Sequence, residues 1–447
     1  MFAYPFTEKF EHILEQTGEK LEKTGDLLGQ AGEKLEQTGE ILGQRLEQTG
    51  EILGQRLEQT GEILEQRLEQ TGDFLEQRIG DRIGQLDMEA PVLEGDPVEK
   101  VWYKLPLEKG ICGDGSPYHI YMKKGSSNRL CIFFSGGGVA WDDFTAARPV
   151  TGGKVITGQP NFYWNNLRPF TQIMNINTGI TETGRSWNPF DSWCFVVITY
   201  ATGDFHVGDR DYEYETGDGN RDLVHFRGHR NFQEAMKVAK AYYPEPRKLL
   251  IAGDSAGAFA VPALTPEILT EYYPDCRDVT CFSDSALLYF HDWHRTARDV
   301  WGADPRIYDA IVTENLILDW YRDLYRLCGD RVRYLYACSV HDYLLSTFYN
   351  AVHHKDYSTG REVQAVFADQ LADLVAGLKE LNPSFGMFIN NWRYPVLSIG
   401  KGGTVHTAVR KPYFHIKNDD KATMARWLFD AVNGRVYDVG MDYIQSN

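Results

Sequence analysis

KLLIAGDSAGAFAVPAL, residues 248–264, is the stretch on which the fold turns. Lys248–Gly253 is an apolar run of strand character, and Ala256–Leu264 is small and apolar enough to start a helix. Between them GDSAG, residues 253–257, fits G-x-S-x-G. Glycines at both ends remove side chains where a strand and a helix pack around a sharp turn. Such a turn lifts the Ser255 hydroxyl above a sheet and aims the Ala256 amide at the same space. A structural serine in a Gly/Ala-rich loop is the competing reading, because small-residue runs produce the pattern by chance.

The surroundings favour the turn. Strand-like runs LCIFF (130–134), CFVVITY (194–200) and RVRYLYACS (331–339) alternate with helical patterns HRNFQEAMKVAKAYY (229–243) and ADQLADLVAGLKELN (368–382). Continuous apolar strands alternating with helices predict an α/β fold whose mostly parallel sheet is flanked by helices. In FFSGGGVAWDD (133–143) a strand ends at Ser135 and three glycines follow. Amides of such a loop can face a developing oxyanion that side chains would obstruct. A phosphate cradle is disfavoured, since no Lys follows the glycines and Asp142 and Asp143 would repel phosphate; a plain tight turn is the remaining alternative.

A nucleophilic serine needs a base, and the base needs an orienting acid, in the chain order Ser, acid, His for this fold class. His406, in SIGKGGTVHTAVRK, follows a short apolar run (Val396–Ile399) and a glycine loop, which is where a base can hang beside a sheet edge. His415, in the apolar PYFHI, reads as a packed core histidine. For the acid, Asp342 and Asp284 both stand at strand ends, with Asp356 a weaker third. His206 and Asp209 in DFHVGD resemble a metal pair but have no further ligand in register, so no metal is expected.

Residues 1–84 are of another kind. LEQTGEILGQR at 35–45 recurs at 46–56, then as LEQTGEILEQR at 57–67 and LEQTGDFLEQR at 68–78. An 11-residue period, about 3.67 residues per turn, predicts a long amphipathic helix, straight or slightly right-handed in supercoil. Gly50, Gly61 and Gly72 fall on its apolar stripe, each costing about 1 kcal/mol of helix propensity. A coiled coil that makes the protein a homo-oligomer fits best. A helix lying on a lipid or granule surface is the second reading, weakened by the acidic polar face, and a solvated repeat without function is the third. Residues 85–99, with Pro91 and Pro97, read as a linker, and 100–447 as the α/β domain.

The totals limit the partners. Of a net charge of −17, residues 1–90 supply 20 acidic against 9 basic side chains, the rest 43 against 37. An acidic surface disfavours nucleic acid. Seven scattered cysteines without a CxxC argue against a disulfide framework. With no basic and apolar leader pattern in MFAYPFTEKFEHILEQ, a cytoplasmic setting is expected.

Taken together, these segments resemble the pectin acetylesterase/Notum family of α/β-hydrolases. ICGDGSPYHIY (111–121) is similar to its C-x-D-G-S-P segment, and KKGSSNRLCIFFSGGG (123–138) to its strand into a glycine loop. WNPFDSWCFVVITYATGDFHVGD (187–209), HFRGHRNFQEAM (225–236), CFSDSALL (281–288), YACSVHDYLLS (336–346) and TVHTA (404–408) resemble further family segments in order. The resemblance implies Ser255 as nucleophile, Asp342 rather than Asp284 as acid, and His406 as base. It also implies an oxyanion hole from amides near Gly137, Gly138, Val139 and Ala256. Where the family has Trp-Cys after its glycines, this chain has Val139, Ala140 and Trp141; Trp141 is expected either on the acyl pocket or as a buried structural residue. The elbow reads D-S-A-G-A instead of x-S-A-G-G, and the family's cysteine beside the base is missing, which argues against an extracellular pectin substrate. The expected function is a serine carboxylesterase acting without a cofactor on a small-molecule or polymer-borne O-acyl ester, acetyl included. The alternative is a non-catalytic scaffold that works through the N-terminal helix.

Overall fold

Apolar runs that are buried on both faces become the central strands. The computed structural model describes residues 89–151, 160–168, 171–216, 219–393 and 402–445, all within the second of the two units into which the chain divides, Leu75–Asn447. The 11-residue repeat lies outside the described residues.

Eight strands form one sheet in the order β1-β2-β4-β3-β7-β8-β9-β10. They are β1 (Trp102–Ile111), β2 (Pro117–Lys123), β3 (Arg129–Phe134), β4 (Cys194–Ile198), β7 (Lys248–Asp254), β8 (Val279–Asp284), β9 (Val332–Ser339) and β10 (Gly386–Asn390). β5 (Arg210–Glu215) and β6 (Arg221–Phe226) pair separately as an antiparallel hairpin. Within the large sheet only β1–β2 and β2–β4 are antiparallel; the run from β4 to β10 is parallel. This is the expected α/β-hydrolase-like, mostly parallel sheet with flanking helices.

The continuous hydrophobicity has a simple cause, since each face of the sheet carries its own core. Along β7, Leu249 and Ile251 join one cluster while Leu250 and Ala252 join the other. β3 repeats the pattern, with Leu130, Ile132 and Phe134 on the first side and Cys131 and Phe133 on the second. The first side is covered by α1 (Gly228–Tyr242), α2 (Ala256–Glu267), α3 (Leu316–Cys328), α4 (Tyr343–His354) and α5 (Arg361–Leu381). The second is covered by α6 (Met424–Val432), which buries Met424, Trp427 and Leu428.

Element boundaries differ from the sequence expectation where polar residues end or extend a run. β4 stops at Ile198 instead of residue 200, and just beyond it the Thr199 hydroxyl donates to the His119 carbonyl at 2.5 Å. α5 begins at Arg361, seven residues before the expected start, since its polar first turn shows no apolar period. Within the stretch read as a linker, Ala90 is buried, and Leu93 and Pro91 exchange backbone hydrogen bonds with Lys104 of β1. All seven cysteines are free, and six are buried. No helix among the described residues is long and apolar enough to cross a membrane.

The parallel strands leave the sheet at one edge. β3 runs into the glycine loop, β7 into Ser255, β8 ends at Asp284, and β9 is followed by Asp342. An open parallel sheet gathers its ligand-facing loops at this edge, beyond the carboxyl ends of its strands.

Candidate active site

Ser255 stands between β7 and α2 with φ 52° and ψ −126°, a backbone conformation that non-glycine residues rarely adopt. Holding it there costs on the order of 1–3 kcal/mol. The flanking glycines are required by contact. A Cβ on Gly253 would sit 2.3 Å from the Gly257 carbonyl oxygen, and one on Gly257 would sit 2.1 Å from that of Phe134. The Ser255 N–H donates to the Asp284 carbonyl at 2.8 Å, tying the turn to β8. A serine in an ordinary loop would need neither the strain nor the contacts.

His406 bridges Ser255 and Asp342. Its Nε2 lies 2.8 Å from Ser255 Oγ and its Nδ1 lies 2.8 Å from Asp342 Oδ2. With the ring proton on Nδ1, facing the carboxylate, Nε2 is left to accept the serine hydroxyl. Asp342 is fully buried and caps α4: its Oδ1 accepts the N–H groups of Leu344 and Leu345, both at 3.0 Å. The histidine loop is stitched to the acid. Thr404 N–H donates to His341 O at 2.8 Å, and Tyr343 N–H donates to Thr404 O at 3.2 Å. The structure thus brings together the three side chains singled out in the sequence.

The other candidates have different surroundings. Asp284 Oδ2 accepts the N–H groups of Ala408 and Val409 at 2.7 and 2.8 Å, so this acid anchors the backbone just beyond His406. Its burial pushes the carboxyl up to about 6, partly offset by those hydrogen bonds. Asp356 is exposed. His415, expected in the core, is half-buried with Nε2 3.1 Å from a Glu182 carboxylate oxygen, because only its neighbour Phe414 faces inward. His206 is buried with its Nε2 2.9 Å from the Ser135 carbonyl, and burial pulls it down to about 4. Asp209 pairs instead with Arg227 and Arg230. No group of three or more metal-type ligands occurs among the described residues.

The glycine loop passes directly over Ser255. A Cβ on Gly136 would lie 2.6 Å from that of Ser255. Gly138, at φ 81°, would place a Cβ 1.9 Å from the Phe162 carbonyl oxygen. Of the four amides expected to face an oxyanion, Val139 must be removed: its N–H donates to Phe162 O at 2.8 Å and has no proton left to offer. The N–H groups of Gly137, Gly138 and Ala256 have no protein acceptor among the described residues. Ala256 opens α2, where first-turn amides lack intrahelical partners.

A small cavity of about 30 Å³ adjoins Ser255, walled by Phe205, Phe259, Leu288, Leu345 and Phe348. Phe205 stacks on Phe259 at 4.2 Å. Trp141 does not line it. The indole packs behind the wall, 6.3 Å from the Phe348 ring and 5.2 Å from Phe162, which corrects the expectation of a pocket residue in favour of a structural one. Two larger grooves, of about 480 and 490 Å³, lie elsewhere and include none of Ser255, Asp342 and His406.

Sequence reasoning missed Arg410, which is buried against Asp254, Ser135 and Asn175 beneath the site. The signal was present in the departure at the elbow. An acid at the end of an apolar strand calls for a buried cation, and TAVRK supplies one four residues after His406.

Residues 103–301 match the model of the pectinacetylesterase family. The matched span runs from β1 past β8, so it contains the glycine loop and Ser255 and stops before Asp342 and His406. No curated protein matches the chain.

Proposed function

Residues 103–301 carry a domain of the pectinacetylesterase family, a family of ester hydrolases, and on that premise we propose that the chain is a serine carboxylesterase acting on short O-acyl esters. The observation that carries this is the hydrogen-bonded series Ser255–His406–Asp342, with both links at 2.8 Å, at a serine held in a strained turn.

In the proposed reaction His406 Nε2 takes the Ser255 proton as Oγ attacks the ester carbonyl. The amides of Gly137, Gly138 and Ala256 receive the oxyanion of the tetrahedral intermediate, a contribution typically worth 10²–10³ in turnover per donor. Collapse expels the alcohol, which leaves with the proton from His406. Water then attacks the acyl-serine with His406 again as base, returning free serine and releasing the carboxylic acid. Asp342, fixed by its two backbone donors, orients the imidazole and stabilises its positive charge. The chemistry needs no metal or organic cofactor.

The cavity supports a short acyl group, because it is small beside the two larger grooves and closed by Phe205, Phe259, Leu288, Leu345 and Phe348. The alcohol portion would extend outward, away from the Phe348 wall. The N-terminal repeat is proposed to make the enzyme a homo-oligomer. A panel of p-nitrophenyl esters of increasing acyl length, run on the full chain and on Ser255→Ala, tests the reading. Turnover is expected to be highest for acetate and to vanish with the serine. Hydrolysis by Ser255→Ala at the full rate would end it.

A further inference from the structure

Asp254, the residue before the proposed nucleophile, and Arg410, four residues after the proposed base, form a bidentate ion pair within the protein. Arg410 Nε donates to Asp254 Oδ2 at 2.9 Å and Nη2 to Oδ1 at 2.8 Å. Each side chain is 7% exposed. The remaining nitrogen of the guanidinium, Nη1, donates to Ser135 Oγ at the entrance of the glycine loop at 2.9 Å and to Asn175 Oδ1, at the end of the short helix Thr171–Asn175, at 2.7 Å. Asp254 Oδ1 completes the circuit by accepting the Gly136 N–H at 2.8 Å. The guanidinium also sits 4.8 Å from the Phe133 ring centroid, on the last turn of strand before that loop.

Four chain segments therefore meet at one planar cation, Asn175 with the three that carry the proposed machinery. Ser135 and Gly136 lead into the amides proposed for the oxyanion, Asp254 is covalently joined to Ser255, and Arg410 continues the loop of His406. A buried ion pair is on average no more stabilising than an apolar pair of like volume, so stability alone does not account for this one. A planar fork does fix geometry, because its donors point in set directions that a lysine cannot reproduce.

We infer that Arg410 and Asp254 are a positioning pair that sets the distance between the oxyanion loop, Ser255 and His406, without touching the substrate. The inference rests on the esterase reading above. Displacement of one of these parts by about 1 Å is enough to lower turnover by about 10²-fold. The loss should fall on kcat and spare KM, since neither residue borders the acyl cavity.

The test compares Arg410→Lys, which keeps the charge and loses the fork, with the double variant Asp254→Asn/Arg410→Met, which removes both charges and strands neither. Serines reactive toward a fluorophosphonate are titrated, and kcat for p-nitrophenyl acetate is expressed per reactive serine. A positioning role gives a fall of about 10²-fold per reactive serine in both variants, with KM within threefold of wild type. A purely structural role lowers the thermal midpoint and the number of reactive serines while kcat per serine stays within threefold, which overturns the inference. Loss of the fold in both variants overturns it likewise. The esterase reading fails separately, when wild type is not labelled at Ser255 or Ser255→Ala retains turnover.

Discussion

Asp284 grips the chain two and three residues beyond His406, through the N–H groups of Ala408 and Val409, while Asp342 pairs with the imidazole itself. Two buried strand-end acids thus serve one histidine in different ways, one through its backbone and one through its ring. Their asparagine variants should separate cleanly. Asp342→Asn places an amide opposite Nδ1 and favours the wrong tautomer, so kcat should fall by about 10⁴-fold. Asp284→Asn can still offer its carbonyl oxygen to both amides and its NH₂ to Ser285 Oγ, so kcat should fall by no more than about tenfold. Steady-state kinetics on p-nitrophenyl acetate decide it, and equal losses would show that the two acids share one role.

The same Asp284 makes a stability prediction with a definite sign. Its carboxyl titrates at about 6 in the fold, raised by burial from an ordinary 3.8. Across that window the native state holds a proton that the unfolded chain has released, so this group's contribution falls as pH rises from about 4 to about 6 and is fully present only below that range. Asparagine does not titrate. The unfolding free energy of Asp284→Asn relative to wild type should therefore shift in the variant's favour by about 3 kcal/mol between about pH 3 and about pH 7. Urea melts at the two pH values measure this. A pH-independent difference would mean that the carboxyl titrates in the fold where it does in the unfolded chain.

The legible parts of the molecule were those set by local physics. The strands of the parallel sheet showed as unbroken apolar runs because both faces are covered, and the elbow showed because two glycines bracket one serine at the meeting of strand and helix. Asp342 and Asp284 were equivalent by spacing, since both end a strand. Their difference lies in a bridge between residues 342 and 404 that only the folded chain makes. Val139 was misplaced for a similar reason, as the acceptor that takes its proton is Phe162, far along the chain. Trp141 follows the glycine loop in sequence, but Phe348, from α4, comes between it and the cavity. Arg410 was readable only by asking what neutralises Asp254, a question of pairing that no periodicity answers.

Gly138 tests the oxyanion loop. At φ 81° and with the Phe162 carbonyl where a side chain would go, alanine must displace the loop from above Ser255. Because the amides of Gly137 and Gly138 move with it, kcat for Gly138→Ala should fall by about 10²–10³-fold. Labelling of Ser255 by a fluorophosphonate should slow in parallel, since that reaction also develops negative oxygen. Turnover at the wild-type rate would take the glycine loop out of the mechanism.

Phe348 should set acyl length. Its ring walls the cavity and has Trp141 behind it, so Phe348→Ala opens space bounded by a second aromatic surface. The ratio of kcat/KM for p-nitrophenyl hexanoate over acetate should rise at least about tenfold, in keeping with about 1–3 kcal/mol for each methylene newly accommodated. The truncation should cost about 3 kcal/mol of stability, so assays belong well below the variant's thermal midpoint. An unchanged ratio would place the acyl chain elsewhere.

The N-terminal repeat and the hydrolase domain should be separable. Among the described residues, both hydrophobic cores are built at or beyond Ala90, and the Pro91–Leu93 pairing with Lys104 uses no residue of 1–84. The shortened chain should thus keep its kcat and KM. On the proposal that the repeat pairs with another helix, its association state should change; the 11-residue apolar period suits such a helix, and Gly50, Gly61 and Gly72 on the stripe would let two backbones come close. Sedimentation equilibrium is expected to find the full chain as an oligomer and the shortened chain as a monomer. The same oligomer in both would assign assembly to the hydrolase domain. A full chain that is monomeric in buffer but pelleted with phosphatidylcholine vesicles would favour an apolar surface as the repeat's partner.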